Sequence, residues 1–125
     1  MVIGTLSCLV IDCPEPRLLA SFYEELLGLA RVEDSEEWVT LGDAEQPPRV
    51  AFQQVANFMR PDWLTSSVPQ QMHLDVLVHD LDVAQASVLS LGATLLDGSD
   101  KPIGFRVYAD PVGHPFCLVT PEGLA

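Results

Sequence analysis

The fold of this chain is decided by a short stretch that occurs twice. It reads Ala-Ser-Phe-Tyr-Glu-Glu-Leu-Leu-Gly at residues 20–28 and, more weakly, Ala-Gln-Ala-Ser-Val-Leu-Ser-Leu-Gly at residues 84–92. The same offset of 64 residues places Phe52 on Phe116. In both copies a helix-like stretch ends at the matched glycine, and strand-like stretches follow it. The repeat therefore predicts two equivalent halves that meet at a cleft.

Each half is predicted to run β-α-β-β-β, which makes the fold class α+β. Pro16 suits the first turn of a helix that ends at Gly28. Asp80 is the predicted cap of the second helix, and Gly92 its end. A tight turn is predicted at residues 110–113, Asp-Pro-Val-Gly. The predicted strands are 5–12, 30–33, 37–41 and 49–55 in the first half, and 72–79, 93–96, 105–109 and 115–119 in the second.

Length and composition fit one compact domain. With 125 residues and 48% hydrophobic content, the chain can bury a core without disulfides. We expect a single domain over residues 1–125, with a first module at about 1–56, a connecting segment at 57–70 and a second module at about 71–125. Three cysteines are an odd count for a disulfide framework, so we expect a reducing compartment.

The charge of the chain restricts its partners. Eighteen acidic and six basic residues give a net charge of -12, which repels nucleic acid and anionic lipid surfaces. The apolar N-terminal run stops at Asp12, which is too short for a membrane span, and it lacks the basic flank of a secretion signal. We therefore expect a cytoplasmic protein with no nucleic-acid partner and no membrane partner.

Alternation along strand 72–79 separates an apolar face from a polar face. The apolar residues suit the helix side, so His73 and Asp75 point towards the cleft, where one ligand could touch both. A histidine beside a carboxylate can act as a general base or as a hydrogen-bonding anchor. The alternative is a satisfied pair on a solvated face.

The sequence leaves two further features open. The connecting segment carries large apolar side chains, including Trp63, that we expect to pack over the domain. Trp63 then serves either as part of a lid or as a plug at the end of the core. In strand 105–109, the residues lining the cleft are either Arg106 with Tyr108 or Phe105 with Val107.

Five phrases along the chain resemble one known superfamily. They are Leu-Ala-Ser-Phe-Tyr at 19–23, Leu-Gly at 27–28, Gln-Met-His-Leu-Asp at 71–75, Leu-Gly-Ala at 91–93 and Phe-Arg-Val-Tyr-Ala-Asp-Pro-Val-Gly-His-Pro-Phe-Cys at 105–117. Their order and spacing resemble the vicinal oxygen chelate superfamily, which includes glyoxalases, bleomycin-resistance proteins and extradiol dioxygenases, and most closely its small glyoxalase-like branch. The resemblance implies two β-α-β-β-β modules whose strands form a curved, cup-like mixed sheet around a pocket.

The resemblance also marks four positions at which metal-using members hold an ion, two in each module. Carried over to this chain, they fall on His73 and Cys117 in the second module, and near Ser7 and on Gln53 in the first. Only His73 and Gln53 carry donors usual at such a centre, and neither last-strand position carries a carboxylate. We therefore expect no obligatory metal or other cofactor; a bound divalent ion would be held by His73 and Gln53.

The leading hypothesis is a protein that binds a small, partly apolar organic molecule in the cup. The candidate lining residues are Ser7, Gln53, Trp63, His73, Asp75 and Cys117. One alternative is a lyase, isomerase or dioxygenase that uses a metal at His73, or metal-free acid-base catalysis by His73 and Asp75. Another is an interaction module whose concave sheet is closed by a partner chain. The resemblance also implies homodimerisation.

Overall fold

A computed structural model describes residues 2–63, 65, 67–98 and 104–124 and confirms the α+β class. Each half runs β-α-β-β-β, as the repeat predicts. The first half contains β1 (Cys8–Cys13), α1 (Pro16–Leu27), β2 (Arg31–Asp34), β3 (Trp38–Leu41) and β4 (Arg49–Gln54). The second contains β5 (Leu74–Leu77), α2 (Leu81–Ser90), β6 (Thr94–Asp97), β7 (Phe105–Ala109) and β8 (Pro115–Val119), followed by the short helix α3 (Pro121–Leu124).

The two halves have the same sheet topology. One sheet has the strand order β1-β4-β3-β2 and the other β5-β8-β7-β6. In each, the first and last strands of the module are parallel and the remaining pairs are antiparallel. Residues 1–58 form one compact unit, unit 1, and residues 59–125 form a second, unit 2. Within the described ranges, none of the helices combines the length and apolarity that crossing a bilayer requires.

The first strand begins later than the predicted Thr5. β1 starts at Cys8, which is opposite Arg49 in β4, and the Arg49 amide donates to the Ser7 carbonyl oxygen at 2.9 Å. Pairing cannot continue before that point because the preceding residue of the partner segment is Pro48, which has no N–H to donate.

In unit 1, helix α1 forms where proline and glycine predict it. Pro16 occupies the first turn, and Gly28 caps the end in the left-handed region at φ 66°, with its amide donating to the Glu24 carbonyl at 2.9 Å. The buried side of α1 packs on β3 and β4, and Tyr23 stacks on Phe52 with ring centroids 5.4 Å apart. This packing fixes which face of the unit 1 sheet is covered by the helix.

In unit 2, the contacts of helix α2 show which side chains of β7 face it. The Tyr108 hydroxyl donates to Gln85 Oε1 at 2.8 Å, and Arg106 donates to Asp82 at 2.9 Å. Arg106 and Tyr108 therefore face the helix. Phe105 and Val107 lie on the opposite face, where they pack with Cys117, Val119 and Leu96. The structure thus decides between the two pairs that the sequence leaves open.

The β7–β8 turn is built around a buried carboxylate. Asp110 is 1% exposed, and its Oδ1 accepts hydrogen bonds from the amides of Val112, Gly113 and His114 at 3.0, 2.9 and 3.0 Å. The Gly113 amide also donates to the Asp110 carbonyl at 2.9 Å, which closes the predicted turn. Gly113 has φ 105°, a conformation that favours glycine.

We predict that Asp110→Ala lowers the free energy of unfolding by about 2 kcal/mol or more, because it removes a charged acceptor shared by three amides in a buried turn. Asp43→Ala is the matched control, since Asp43 accepts from the amides of Glu45 and Gln46 in an exposed loop where water can replace it. The free energy of unfolding of Asp43→Ala should fall by less than about 1 kcal/mol. Urea denaturation of both variants measures the difference, and equal losses would contradict the assigned role of Asp110.

Candidate functional site

The polar end of the candidate site lies on the face of the unit 2 sheet opposite α2. His73 immediately precedes β5, and its Nε2 lies 3.2 Å from Asp75 Oδ1. Their side chains are 41% and 46% exposed, whereas Leu74 and Val76 between and beyond them are half-buried. The predicted alternation is therefore present at residues 73–76, although the strand itself is shorter than predicted, and the imidazole and the carboxylate lie within ion-pair distance of each other.

Cys117 completes this cluster from the neighbouring strand. The parallel register places it opposite Asp75, and the ligand atoms of His73, Asp75 and Cys117 all lie within 4.8 Å of one another. Burial, followed by the negative charge and hydrogen bond of Asp75, raises the pKa of the Cys117 thiol to about 12. At neutral pH Cys117 is therefore a neutral thiol and not a nucleophilic thiolate.

A cavity of about 370 Å³ lies where the connecting segment crosses the same unit. Leu96 lines this cavity and also packs against Val107 and Cys117, so the cavity opens onto the sheet face that carries the His73–Asp75 pair. Trp63 is one of its walls and is 37% exposed, which is inconsistent with a plug buried in the core. The cavity is also lined by Arg60, Asp62, Val68 and Ala109.

Arg60, which the sequence does not predict as a site residue, has a side chain that crosses the β7–β8 turn at this cavity. A Cβ atom at Gly113 would lie only 2.3 Å from Arg60 Cγ, so the absence of a side chain there is what lets the arginine lie across the turn. The only sequence signal is the turn glycine itself, which predicts a close approach without saying what approaches.

In unit 1, Gln53 lies beside Asp12. The register pairs these residues across β1 and β4, and Gln53 Nε2 donates to Asp12 Oδ1 at 3.4 Å. Asp12 occupies the position that Asp75 has in unit 2, a match that sequence analysis missed. The dipeptides Ile11-Asp12 and Leu74-Asp75 could have revealed it at an offset of 63 residues.

The proposed equivalence of Ser7 with His73 is wrong. His73 stands two residues before Asp75, so its counterpart in unit 1 is Val10. The error comes from the strand-to-helix connection: α1 begins four residues after Asp12, whereas α2 begins six residues after Asp75. Ser7 itself precedes β1.

Comparison with known proteins identifies the family. The glyoxalase-like domain family matches residues 8–119, so the chain belongs to this family, within the vicinal oxygen chelate superfamily. No curated protein matches the chain.

Solved structures show the same fold at low identity. A glyoxalase/bleomycin resistance protein/dioxygenase family enzyme from Burkholderia phytofirmans PsJN has a TM-score of 0.72 at 16% identity, covering 94% of this chain and 98% of that one. The antibiotic-binding protein TnmS3 from Streptomyces sp. CB03234 has a TM-score of 0.60 at 19% identity, with coverages of 97% and 98%. The bleomycin-binding protein from Streptomyces verticillus, complexed with copper(II)-bleomycin, has a TM-score of 0.59 at 14% identity, with coverages of 96% and 98%.

The side chains present at the four metal positions that the family implies decide whether an ion would fit there. The four equivalent positions hold Val10, Gln53, His73 and Cys117. Val10 has no donor atom and Cys117 is a protonated thiol, so this set does not fit a hard divalent ion. The imidazole, carboxylate and thiol of His73, Asp75 and Cys117 are instead donor types that zinc uses, although the thiol would have to lose its proton.

The raised pKa of Cys117 predicts a loss of stability at alkaline pH. Because the thiol holds its proton more strongly in the folded state, its contribution is complete below pH 9 and falls as pH rises from 9.0 towards about 12. Over this range, the free energy of unfolding of the wild-type protein should fall by up to about 1.4 kcal/mol more per pH unit than that of Cys117→Ala. Denaturation at pH 8 to about 10.5 with EDTA present measures this, and parallel curves would contradict it.

Proposed function

We propose that this protein binds a small, partly apolar organic molecule on the face of the unit 2 sheet opposite α2, without an obligatory metal ion. The observation that carries the proposal is the cavity of about 370 Å³ bordered by Trp63 and Leu96. Its volume falls within the range typical of ligand sites, which are mostly apolar with a few polar groups that fix orientation.

The polar and apolar groups are arranged as such a site requires. The His73–Asp75 pair stands at the β5 edge, and Arg60 and Trp63 border the cavity towards β6. The strand order puts three strand spacings, about 14 Å, between these edges. Between them, Val107 and Cys117 are buried under the half-buried side chains of Leu96 and Phe105. A ligand in the cavity would thus gain from apolar burial and be oriented by polar groups at the margins of this face.

The structural neighbours support the same conclusion. Two of them are a bleomycin-binding protein and an antibiotic-binding protein, both of the same fold. Their low identity does not transfer a ligand to this chain, but it supports binding of an organic molecule as a use of the fold. Assembly into a homodimer remains a prediction.

One observation favours a second candidate function, a metal-assisted lyase, isomerase or dioxygenase. The clustering of His73, Asp75 and Cys117 within 4.8 Å would suit a thiophilic ion such as Zn²⁺. A bound ion would supply Lewis-acid polarisation of a ligand oxygen. Without an ion, His73 can accept a proton from a ligand while Asp75 orients the imidazole.

The proposed function predicts stabilisation by small aromatic or partly apolar compounds in a thermal-shift screen, because a ligand that binds only the folded state raises its stability. Trp63→Ala should weaken binding of the compounds found by about tenfold, since it removes an aromatic wall of the cavity. Met59→Ala, an exposed apolar change in the same segment that does not line the cavity, should leave affinity unchanged. Calorimetric titration decides, and equal loss in both variants would count against this site.

Metal analysis separates the two candidate functions. For a metal-free binder, we expect the purified protein to carry much less than one equivalent of zinc and to unfold at the same temperature with and without EDTA. The metal-assisted candidate requires about one equivalent, lost in both His73→Ala and Cys117→Ser. Gln53→Ala is the control, because this change would release the ion only if it were held by His73 and Gln53, the pair that the sequence predicts.

A further inference from the structure

We propose that the molecule bound in the unit 2 cavity carries a carboxylate attached to an aromatic or conjugated group, and that Arg60 binds this carboxylate. The inference rests on the proposed function and names its ligand class. The chain as a whole has a net charge of -12, so a site that binds an anion requires a local positive charge that the abundant acidic residues do not neutralise. Arg60 provides this charge.

Arg60 differs from the other arginines that the structure describes. Arg17 and Arg31 pair with Asp34, and Arg106 pairs with Asp82. Arg49 donates to two backbone carbonyl oxygens of its own loop. Among the described residues, Arg60 alone of these cations has no carboxylate or carbonyl acceptor. Within the part of the chain that the structure describes, no acidic partner has to be displaced before its guanidinium can bind a ligand.

The nearest acid in the connecting segment is already engaged. Asp62 Oδ1 accepts from the Thr65 amide at 3.1 Å, and Oδ2 accepts from the Ser67 hydroxyl at 3.2 Å and from the Thr65 hydroxyl. The Asp62 amide also donates to the Val68 carbonyl at 2.7 Å. These bonds hold the carboxylate in its own loop, so Asp62 and Arg60 border one cavity without forming an ion pair.

Arg60 lies directly against the β7–β8 turn. At Gly113, a Cβ atom would come within 2.6 Å of Arg60 Nε and 2.8 Å of Cδ, so the arginine crosses the turn where any side chain would block it. The turn is itself fixed by the buried Asp110 carboxylate. An arginine whose stem is positioned in advance loses less side-chain entropy when it binds a ligand.

The remaining walls decide what kind of anion fits. Trp63, Val68, Leu96 and Ala109 offer an aromatic and aliphatic surface beside the guanidinium. Inorganic anions would gain nothing from that surface, whereas a ring would gain from burial against Trp63 while its carboxylate forms two parallel bonds with the guanidinium. The combination selects a planar organic acid.

The test compares benzoate, phenylacetate and cinnamate with their neutral carboxamides by calorimetric titration. The wild-type protein should bind at least one acid about tenfold or more tightly than its amide, because a charge-assisted pair is lost in the amide. Arg60→Gln should abolish the preference while still binding the amide, and Arg60→Lys should retain part of it. Arg17→Gln is the matched control, because it makes the same change in net charge at an exposed position of unit 1.

The outcomes separate this inference from the proposed function. Equal affinity for acids and amides overturns the carboxylate inference and leaves the binding function in place. An unchanged preference for the acid over the amide in Arg60→Gln also overturns the carboxylate inference alone. Binding of other compounds of the wider screen, but of none of the acids, has the same consequence. If no compound of the wider screen binds, the proposed function fails and this inference falls with it. Thermal unfolding of each variant without ligand checks that the fold is retained.

Discussion

The parallel pairing of β5 with β8 is the constraint on which the candidate site depends. Neighbouring parallel strands cannot be joined by a tight turn, so a helix and two further strands must lie between them along the chain. This connection puts α2 against one face of the unit 2 sheet and leaves the polar face of β5 on the other. The register then sets Asp75 opposite Cys117, and a slip of one residue would turn His73 and Asp75 towards the helix.

The same pairing in unit 1 produces a different chemistry. β1 and β4 bring Asp12 beside Gln53, but the position of His73 is taken by Val10, which can neither accept a proton nor bind an ion. The backbone repeat is thus much better preserved than its side chains. The imidazole and the thiol occur together in unit 2, which is why a site confined to that unit explains the residues better than four equivalent ligands do.

The sequence predicts the fold well where a single residue type determines a boundary. Pro16, Gly28 and Asp80 delimit the helices as expected, and β7 and β8 have the predicted bounds. The alternation of polar and apolar residues also predicts that His73 and Asp75 share one face of their strand, because side chains alternate between the two faces of a sheet. The predicted counterpart of His73, Ser7, is wrong because the offset of 64 residues that relates the two helix ends changes within the connection between strand and helix. Arg60 was missed because its position depends on a contact with Gly113 that is remote in sequence and has no local pattern.

The net negative charge of the chain and the positive charge of Arg60 act on an anionic ligand at different distances. At physiological ionic strength, charges are screened beyond about 8 Å, so the surplus of acidic residues mainly slows the approach of an anion. Once in the cavity, the ligand meets Arg60 at contact distance beside apolar walls, where the attraction is screened much less. Affinity would therefore come from a slow release and not from fast association. Added salt should oppose both effects, since it screens the repulsion that delays entry and weakens the ion pair that delays release.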